Sequence, residues 1–364
     1  MGELGSAYVR VRVPSKVNLF LRITGVRSDG YHELVTVLQT LSIHDTVVAE
    51  LDRSGVSAHP AARRFMELAF TADGHGGVPL DGSNLAVRAA RCLMDHLGIG
   101  TAVPVPSGDG VPAARGVPRR PSRDDGHRAD GRSPTGPCAV PDPSEVPAAA
   151  PTGTPVTRLH LTKRIPVAAG MAGGSADAAA ALVALNHLWQ ADLDRDELRA
   201  LAARLGSDVP FCVGGGTALA TGTGVATAQV LARGTYHWVV GVTEQPLSTP
   251  QVYRAFDEVG LVSDVEPDAV LQALRTGDDE ALGAALHNDL EVAAFHLRPE
   301  LVARRDAMLS AGALGAIVSG SGPTVVALAR SAQHALQISA EVEQAFDRVE
   351  IALSPAGGPE IAGG

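Results

Sequence analysis

Aromatic residues and cysteine are scarce in this chain of 364 residues, which holds 2 Trp, 4 Tyr, 7 Phe and 3 Cys. Cys92, Cys138 and Cys212 form no C-x-x-C pair and no even-numbered framework. That argues against a zinc ribbon and against a secreted, disulfide-held scaffold. No apolar run approaches the roughly 20 residues needed to cross a bilayer. The opening segment, Met1 to Lys16, lacks the apolar centre of a signal peptide. Basic charge is also in short supply: 30 Lys and Arg stand against 40 Asp and Glu, for a net charge of −10. A net acidic chain is a poor partner for nucleic acid or anionic membrane. It can still hold a small anion with backbone N–H groups and one or two placed cations. With 45% hydrophobic residues the chain can bury a true core. Its length fits two domains, and a soluble cytoplasmic protein is expected.

Proline is unevenly spread. Residues 101–155 hold 12 of the 24 prolines and neither Phe nor Tyr. Such a stretch buries too little apolar surface to offset its ordering entropy, so it is expected to be a disordered insert. Closing a loop of this length costs only about 2 kcal/mol more than closing a short one, so the host fold can carry it.

Either side of the insert, strand and helix patterns alternate without strict βαβ repetition. Tyr8–Val13 alternates as a strand, resumed at Val17–Ile23, and Val35–Ile43 and Asp45–Leu51 suggest two more. A helical stripe runs from Leu85 to Leu97, with Ser83 as the expected N-cap. After the insert come a strand at 157–162, an Ala-rich helix at 178–190, a helix at 196–205, and strands at 211–213 and 217–220. The remainder suggests strands near 237–242, 316–319, 324–328 and 348–353. Helices are expected at 252–259, 266–275, 279–287, 299–311 and 331–346. The tail Pro355–Gly364 is expected to be loose.

The most informative segment is Pro166–Asp177, where a strand runs into glycines that open a helix. Glycine permits close backbone approach and positive φ. The first turn of a helix offers unpaired N–H groups and the positive end of its dipole. Clustered Gly170, Gly173, Gly174 and Ser175 at such a junction suggest a phosphate cradle more than a plain tight turn. No Gly-Lys-Ser/Thr follows, so it is not a Walker A loop, and it is not G-x-G-x-x-G.

The pattern Pro166-x-x-x-Gly170-Met171-x-Gly173-Gly174-Ser175-x-Asp177 resembles the ATP-binding loop of the GHMP kinases. Further segments stand in the same order as in that family: Pro14-Ser-Lys16-Val-Asn18, Asp29-Gly-Tyr31-His32, Ser83-Asn84-Leu85, Leu205-Gly-Ser-Asp208-Val-Pro and Ser319-Gly-Ser-Gly322. The resemblance covers nearly all of the chain except 101–155 and the tail.

It implies an α+β protein of two-domain GHMP kinase architecture. Residues 1–233 would form an ATP domain like one found in ribosomal proteins, and 234–354 a ferredoxin-like α/β-plait domain. It also implies ATP and Mg²⁺, and a monomer or weak homodimer. The small-molecule substrate would be a cytidine diphosphate-linked alcohol used in isoprenoid precursor synthesis. Homoserine- or mevalonate-type acceptors and a non-catalytic nucleotide-binding module are the alternatives.

Residue by residue, the resemblance makes Asp208 the base and Lys16 the catalytic cation. Asn18, Tyr31, His32, Thr249 and Tyr253 fall at the substrate, with Tyr31 and His32 holding cytosine. Asn84 falls on the adenine side. The ATP loop would comprise Pro166, Val167, Ala168, Ala169, Gly170, Met171, Ala172, Gly173, Gly174, Ser175 and Ala176, with Ser175 a candidate Mg²⁺ ligand. Ordinary alternatives stand beside these roles. Asp208 could be a helix cap, Lys16 a snorkelling lysine, Asn18 an internally satisfied amide and Asn84 a cap. The Ser319–Gly322 turn could close over the ligands or be a simple hairpin. His44, His59, His75, His127 and His160 show no metal-ligand spacing. Ala172 and Ala176 replace a glycine and a serine common in the family loop. Ala172 fits only where φ need not be positive.

Overall fold

The computed structural model describes residues 7–53, 65–74, 77–102, 154–260 and 263–362. Most of the disordered-insert expectation, residues 103–153, lies outside them, as do His59, His75 and His127. The first part of the chain contributes β1 (Ala7–Val26), β2 (His32–Asp52), β3 (Phe65–Gly74), α1 (Leu85–His96), β4 (Gly100–Ala102) and β5 (Val156–Lys163). It continues with α2 (Gly173–Leu188), α3 (Arg195–Ala203), α4 (Val209–Gly214), β6 (Thr217–Gly222) and β7 (Ala226–Gln229). The second part contributes β8 (Tyr236–Val242), α5 (Thr249–Val259), α6 (Asp268–Thr276), α7 (Asp279–Ala285), β9 (His287–Asn288) and α8 (Glu291–Leu297). It ends with α9 (Glu300–Ser310), β10 (Gly315–Val318), β11 (Val325–Ala329), α10 (Ala332–Val342), β12 (Arg348–Ser354) and β13 (Glu360–Ala362).

Two sheets result. The larger runs β13-β1-β2-β5-β3-β4, with β6 and β7 continuing from β2 and β9 lying parallel to β1. The smaller is β10-β11-β8-β12, antiparallel throughout. The mixed helix and sheet content is the α+β class expected from the sequence. α2 has hardly a polar side because it is covered all round, by β1 and β2 beneath and by α1 and α4 beside it. A second apolar core packs α5, α8, α9 and α10 on the other sheet. The sheets are tied by a buried polar chain. Trp238 Nε1 donates to Ser354 Oγ at 2.7 Å, Ser354 Oγ donates to Gln39 Oε1, and Gln39 Nε2 donates to Thr217 Oγ1 at 2.9 Å.

Several sequence expectations are corrected. The paired strand segments on each side of Pro14 and of His44 are single long strands of 20 and 21 residues, bent by register shifts at Pro14/Ser15, Asn18/Phe20 and Ile23/Gly25. A bulge keeps the strand going where a proline or a pattern change suggests a stop. Ser83 is not the cap of α1. Its hydroxyl donates to Asp81, and Asn84 takes the cap, accepting from Ala86 N at 2.8 Å. Residues 211–213, read as a strand, belong to α4; an apolar run this short carries no period to separate the two. The tail is not loose. β13 pairs antiparallel with Arg10–Arg12 of β1, and Ala356 N donates to Thr40 O at 3.1 Å. β3, β7, β9 and α8 went unforeseen, and Thr101 and Ala102, placed in the insert, belong to β4.

Candidate active site

A cleft of about 670 Å³ opens between the glycine loop, the β1–β2 hairpin, the start of α4, α5 and the β10–β11 turn. Its centre is Lys16. The side chain is only 5% exposed, so its charge needs partners. Nζ donates to Asn18 Oδ1 at 2.5 Å and to Gly170 O at 3.0 Å, and it lies 3.7 Å from Asp208 Oδ2. Asn18 in turn donates to Thr36 Oγ1 at 2.9 Å, and Thr36 donates to Phe20 O. The lysine is thus held by the strand that carries it, through residues i and i+2 on one face.

Asp208 stands at the N-cap position of α4 but makes no capping hydrogen bond. Its carboxylate, 35% exposed, is left free to face Lys16 and the cleft. The capping alternative therefore does not describe this aspartate.

The glycine loop brings Ala168, Ala169, Gly170, Ala172, Gly173, Gly174 and Ser175 to the cleft wall. Pro166, Met171 and Ala176 are buried beneath it, and Val167 faces out at 36% exposed. The loop is shaped by three residues of positive φ: Ala168 (50°), Gly170 (74°) and Ala172 (55°). Ala172 therefore does occupy the left-handed region, against the expectation that an alanine there would keep φ negative. An L residue bears about 1–2 kcal/mol of strain in that region. Gly170 is required twice over: a Cβ there would sit 2.0 Å from Ser319 O. The Ser319–Gly322 turn packs on the loop at this point, and Ser319 Oγ donates to Gly170 O at 3.1 Å. Gly320 and Ser321 line the cleft, so the turn is more than a bare hairpin connection. Asn288, adjoining β1, donates to Val318 O at 2.8 Å and Gly320 O at 2.7 Å and so pins the turn.

Beneath the loop lies a buried ionic cluster. Lys163 donates to Asp45 and, at 2.8 Å, to Asp177. Asp45 also accepts from Arg164 N at 2.6 Å and Ile165 N at 2.8 Å. Asp177 Oδ1 has no hydrogen-bond partner among the described residues. Burial, only partly countered by Lys163, pushes the Asp177 carboxyl up to about 8.

The far end of the cleft is built from side chains. Gly30, at φ 83°, turns the β1–β2 hairpin, and Asp29 Oδ1 accepts from Tyr31 N at 3.1 Å. Tyr31 is left 68% exposed, an aromatic face with nothing on it. His32 packs on Tyr253 at 4.7 Å between ring centroids, and its Nε2 lies 2.7 Å from Asp257 Oδ1. Burial, aided by the Asp208 carboxylate, pushes the Tyr253 phenol up to about 12, so the ring stays neutral. Thr249 Oγ1 and Ser321 Oγ, 2.9 Å apart, join α5 to the β10–β11 turn.

Family models described as GHMP kinases N terminal domain and GHMP kinases C terminal match residues 146–216 and 270–348. A protein of Salinispora tropica named 4-diphosphocytidyl-2-C-methyl-D-erythritol kinase is 44% identical, covering 93% of this chain and 88% of that one. The chain belongs to the GHMP kinase family. A protein of the same name from Mycolicibacterium smegmatis is 38% identical, covering 97% of this chain and 92% of that one. A crystal structure of 4-(cytidine 5'-diphospho)-2C-methyl-D-erythritol kinase superposes with a TM-score of 0.65 at 30% identity, over 96% of this chain and 100% of that one. The homoserine kinase of Cytophaga hutchinsonii, at a TM-score of 0.63 and 17% identity, shares the fold.

Within this GHMP kinase cleft the structure brings together Lys16, Asn18, Tyr31, His32, Asp208, Thr249, Tyr253 and the loop from Ala168 to Ser175. Asn84 is not among the lining residues; its amide caps α1 and donates to Pro79 O at 2.9 Å, while Leu85 lines the wall. Sequence reasoning missed Asn288, Thr36 and Asp257. Only Asp257 had a signal, since four residues from Tyr253 on a helix it shares that residue's face. Among the described residues no cluster of three or more His, Cys, Asp or Glu could hold a metal ion, and no helix is long and apolar enough to cross a membrane.

Proposed function

We propose that this GHMP kinase transfers the γ-phosphoryl group of ATP to the 2-hydroxyl of 4-diphosphocytidyl-2-C-methyl-D-erythritol. The observation that carries the reading is the single cleft that joins Lys16 and Asp208, 3.7 Å apart, to the glycine loop on one side and to Tyr31, His32 and Tyr253 on the other. The loop's first-turn N–H groups at Gly173, Gly174 and Ser175 face where phosphate oxygens would lie. Asp208 accepts the hydroxyl proton as the oxygen–phosphorus bond forms and ADP leaves. Lys16 offsets charge on the transferring group. Asn18 orients the acceptor, and the exposed Tyr31 ring stacks on cytosine.

Mg²⁺ would neutralise charge between the β- and γ-phosphates. The donor set suits an ion that keeps most of its ligands as phosphate and water, with Ser175 the hydroxyl nearest the loop's helix start. We retain the division into 1–233 and 234–354, since β8 begins the second sheet. Net charge of −10 fits a cytoplasmic small-molecule enzyme and not a nucleic-acid binder. ADP release with ATP, Mg²⁺ and a panel of the cytidyl substrate, homoserine and mevalonate tests the reading. Turnover of the cytidyl substrate alone is expected; preference for either small alcohol would overturn it.

A further inference from the structure

We infer that Asp257 is a positioning residue that sets which base the cleft accepts, by fixing the tautomer of His32. The inference rests on the cytidyl end of the reading above. His32 lies at the entrance of β2, and Asp257 sits on α5, one helical turn beyond Tyr253. Two rings of α5 pack against the imidazole: Tyr253 lies 4.7 Å away at 36°, and Phe256 meets it edge-on at 6.5 Å. Its one polar partner among the described residues is the Asp257 carboxylate, 2.7 Å from Nε2. Nδ1 has no protein partner among the described residues, is not sealed away as a buried orphan, and belongs to a residue that lines the cleft.

An ionised carboxylate only accepts, so Nε2 must carry the hydrogen. In a neutral imidazole that leaves Nδ1 as an acceptor. The two pyrimidines differ at the position such an atom would read. Cytosine offers an amino group, which donates; uracil offers a carbonyl oxygen, which repels an acceptor. A fixed Nδ1 acceptor therefore selects cytosine, and a ring free to take the other tautomer would lose that selection. The ring packing holds the imidazole in place, while the carboxylate decides which nitrogen bears the proton. The two roles can be separated by mutation.

The test compares kcat/KM for the cytidyl substrate with that for its uridyl counterpart, in wild type, Asp257→Asn and Asp257→Ala. Asparagine keeps the size and a hydrogen bond but can donate to Nε2, so it no longer dictates the tautomer. Its preference for cytosine is expected to fall about tenfold, the scale of one mismatched hydrogen bond in a binding site. Alanine should fall as far or further, through KM for the pyrimidine substrate, with KM for ATP within about twofold of wild type. Asp257 is an exposed side chain, so both variants are expected to melt with the parent. An asparagine variant with wild-type base preference would overturn the inference and leave the kinase reading standing. So would a wild-type enzyme that turns over both pyrimidines alike. Absence of wild-type turnover on the cytidyl substrate would instead remove the substrate reading, and the inference with it.

Discussion

The two ends of the cleft are made of different material. The end at the glycine loop is a backbone surface, formed by a helix start and two turns in direct main-chain contact: Gly170 against Ser319 and Gly322. The pyrimidine end is a side-chain surface, in which an exposed tyrosine, a clamped histidine and a second tyrosine come from the β1–β2 hairpin and α5. A main-chain site tolerates little added volume, because two backbones cannot both retreat. A side-chain site loses a contact and keeps its frame. Substitutions at the first end should therefore act on folding and turnover together, and those at the second on affinity alone.

The sharpest way to break that contrast is Gly170→Ala. The new Cβ would meet the Ser319 carbonyl and would hold a φ of 74° that alanine resists. Turnover should fall by about 10² or more, since displacement of the loop by an ångström misaligns the reacting groups. Steady-state kinetics would check it, and a variant of ordinary kcat would show that the two backbones are not locked.

Next in size is the ionic cluster under the loop. Asp45→Asn weakens a buried side chain that accepts from Lys163 and from two backbone N–H groups and should cost about 3–5 kcal/mol. Asp177→Asn mimics a carboxyl that already holds its proton and takes up none on folding, so at pH 7 it should be as stable as wild type or more stable. Urea unfolding of both variants at pH 7 compares them directly. The same cluster gives a pH dependence. With the Asp177 carboxyl raised from 3.8 to about 8, the folded state binds the proton that the unfolded state has released. That contribution is whole below pH 3.8 and declines as pH rises to about 8, a slope that Asp177→Asn should remove.

At the other end, Tyr31→Ala should raise KM for the cytidyl substrate about tenfold, the worth of one stacked base, with KM for ATP unchanged. An effect confined to ATP would reverse the assignment of the two ends. Smallest is Ala172→Gly, which relieves a strained φ of 55° and should stabilise the fold by about 0.5–1 kcal/mol after the extra entropy of glycine in the unfolded chain. Thermal melting would detect it.

The backbone end was legible in the sequence because glycine at Gly170 and Gly173 is itself the record of close approach. Lys16 and Asp208 were legible only through the family resemblance; alone, a lysine in a strand and an aspartate before a helix have ordinary explanations. Nothing in the local pattern marked Asn288, whose role of pinning the Ser319–Gly322 turn depends on β9 lying beside β1. The same holds for β13, where a tail rich in glycine and proline becomes a strand because β1 offers it an open edge. α4 was misread for the opposite reason. Its five buried residues are apolar on every side, so they carried no period. Long-range pairing and burial on all sides are the two things that local alternation does not encode.

The central claim is that Asp208 takes the proton while the glycine loop holds the nucleotide, so that chemistry and ATP binding belong to different groups of the same cleft. The most direct measurement sets single-turnover phosphorylation of the cytidyl substrate against ATP affinity in Asp208→Asn. Phosphorylation should fall about 10²–10⁴-fold while ATP affinity stays within about twofold of wild type. An Asp208→Asn enzyme that phosphorylates at the wild-type rate, or one that fails because it no longer binds ATP, would contradict the account.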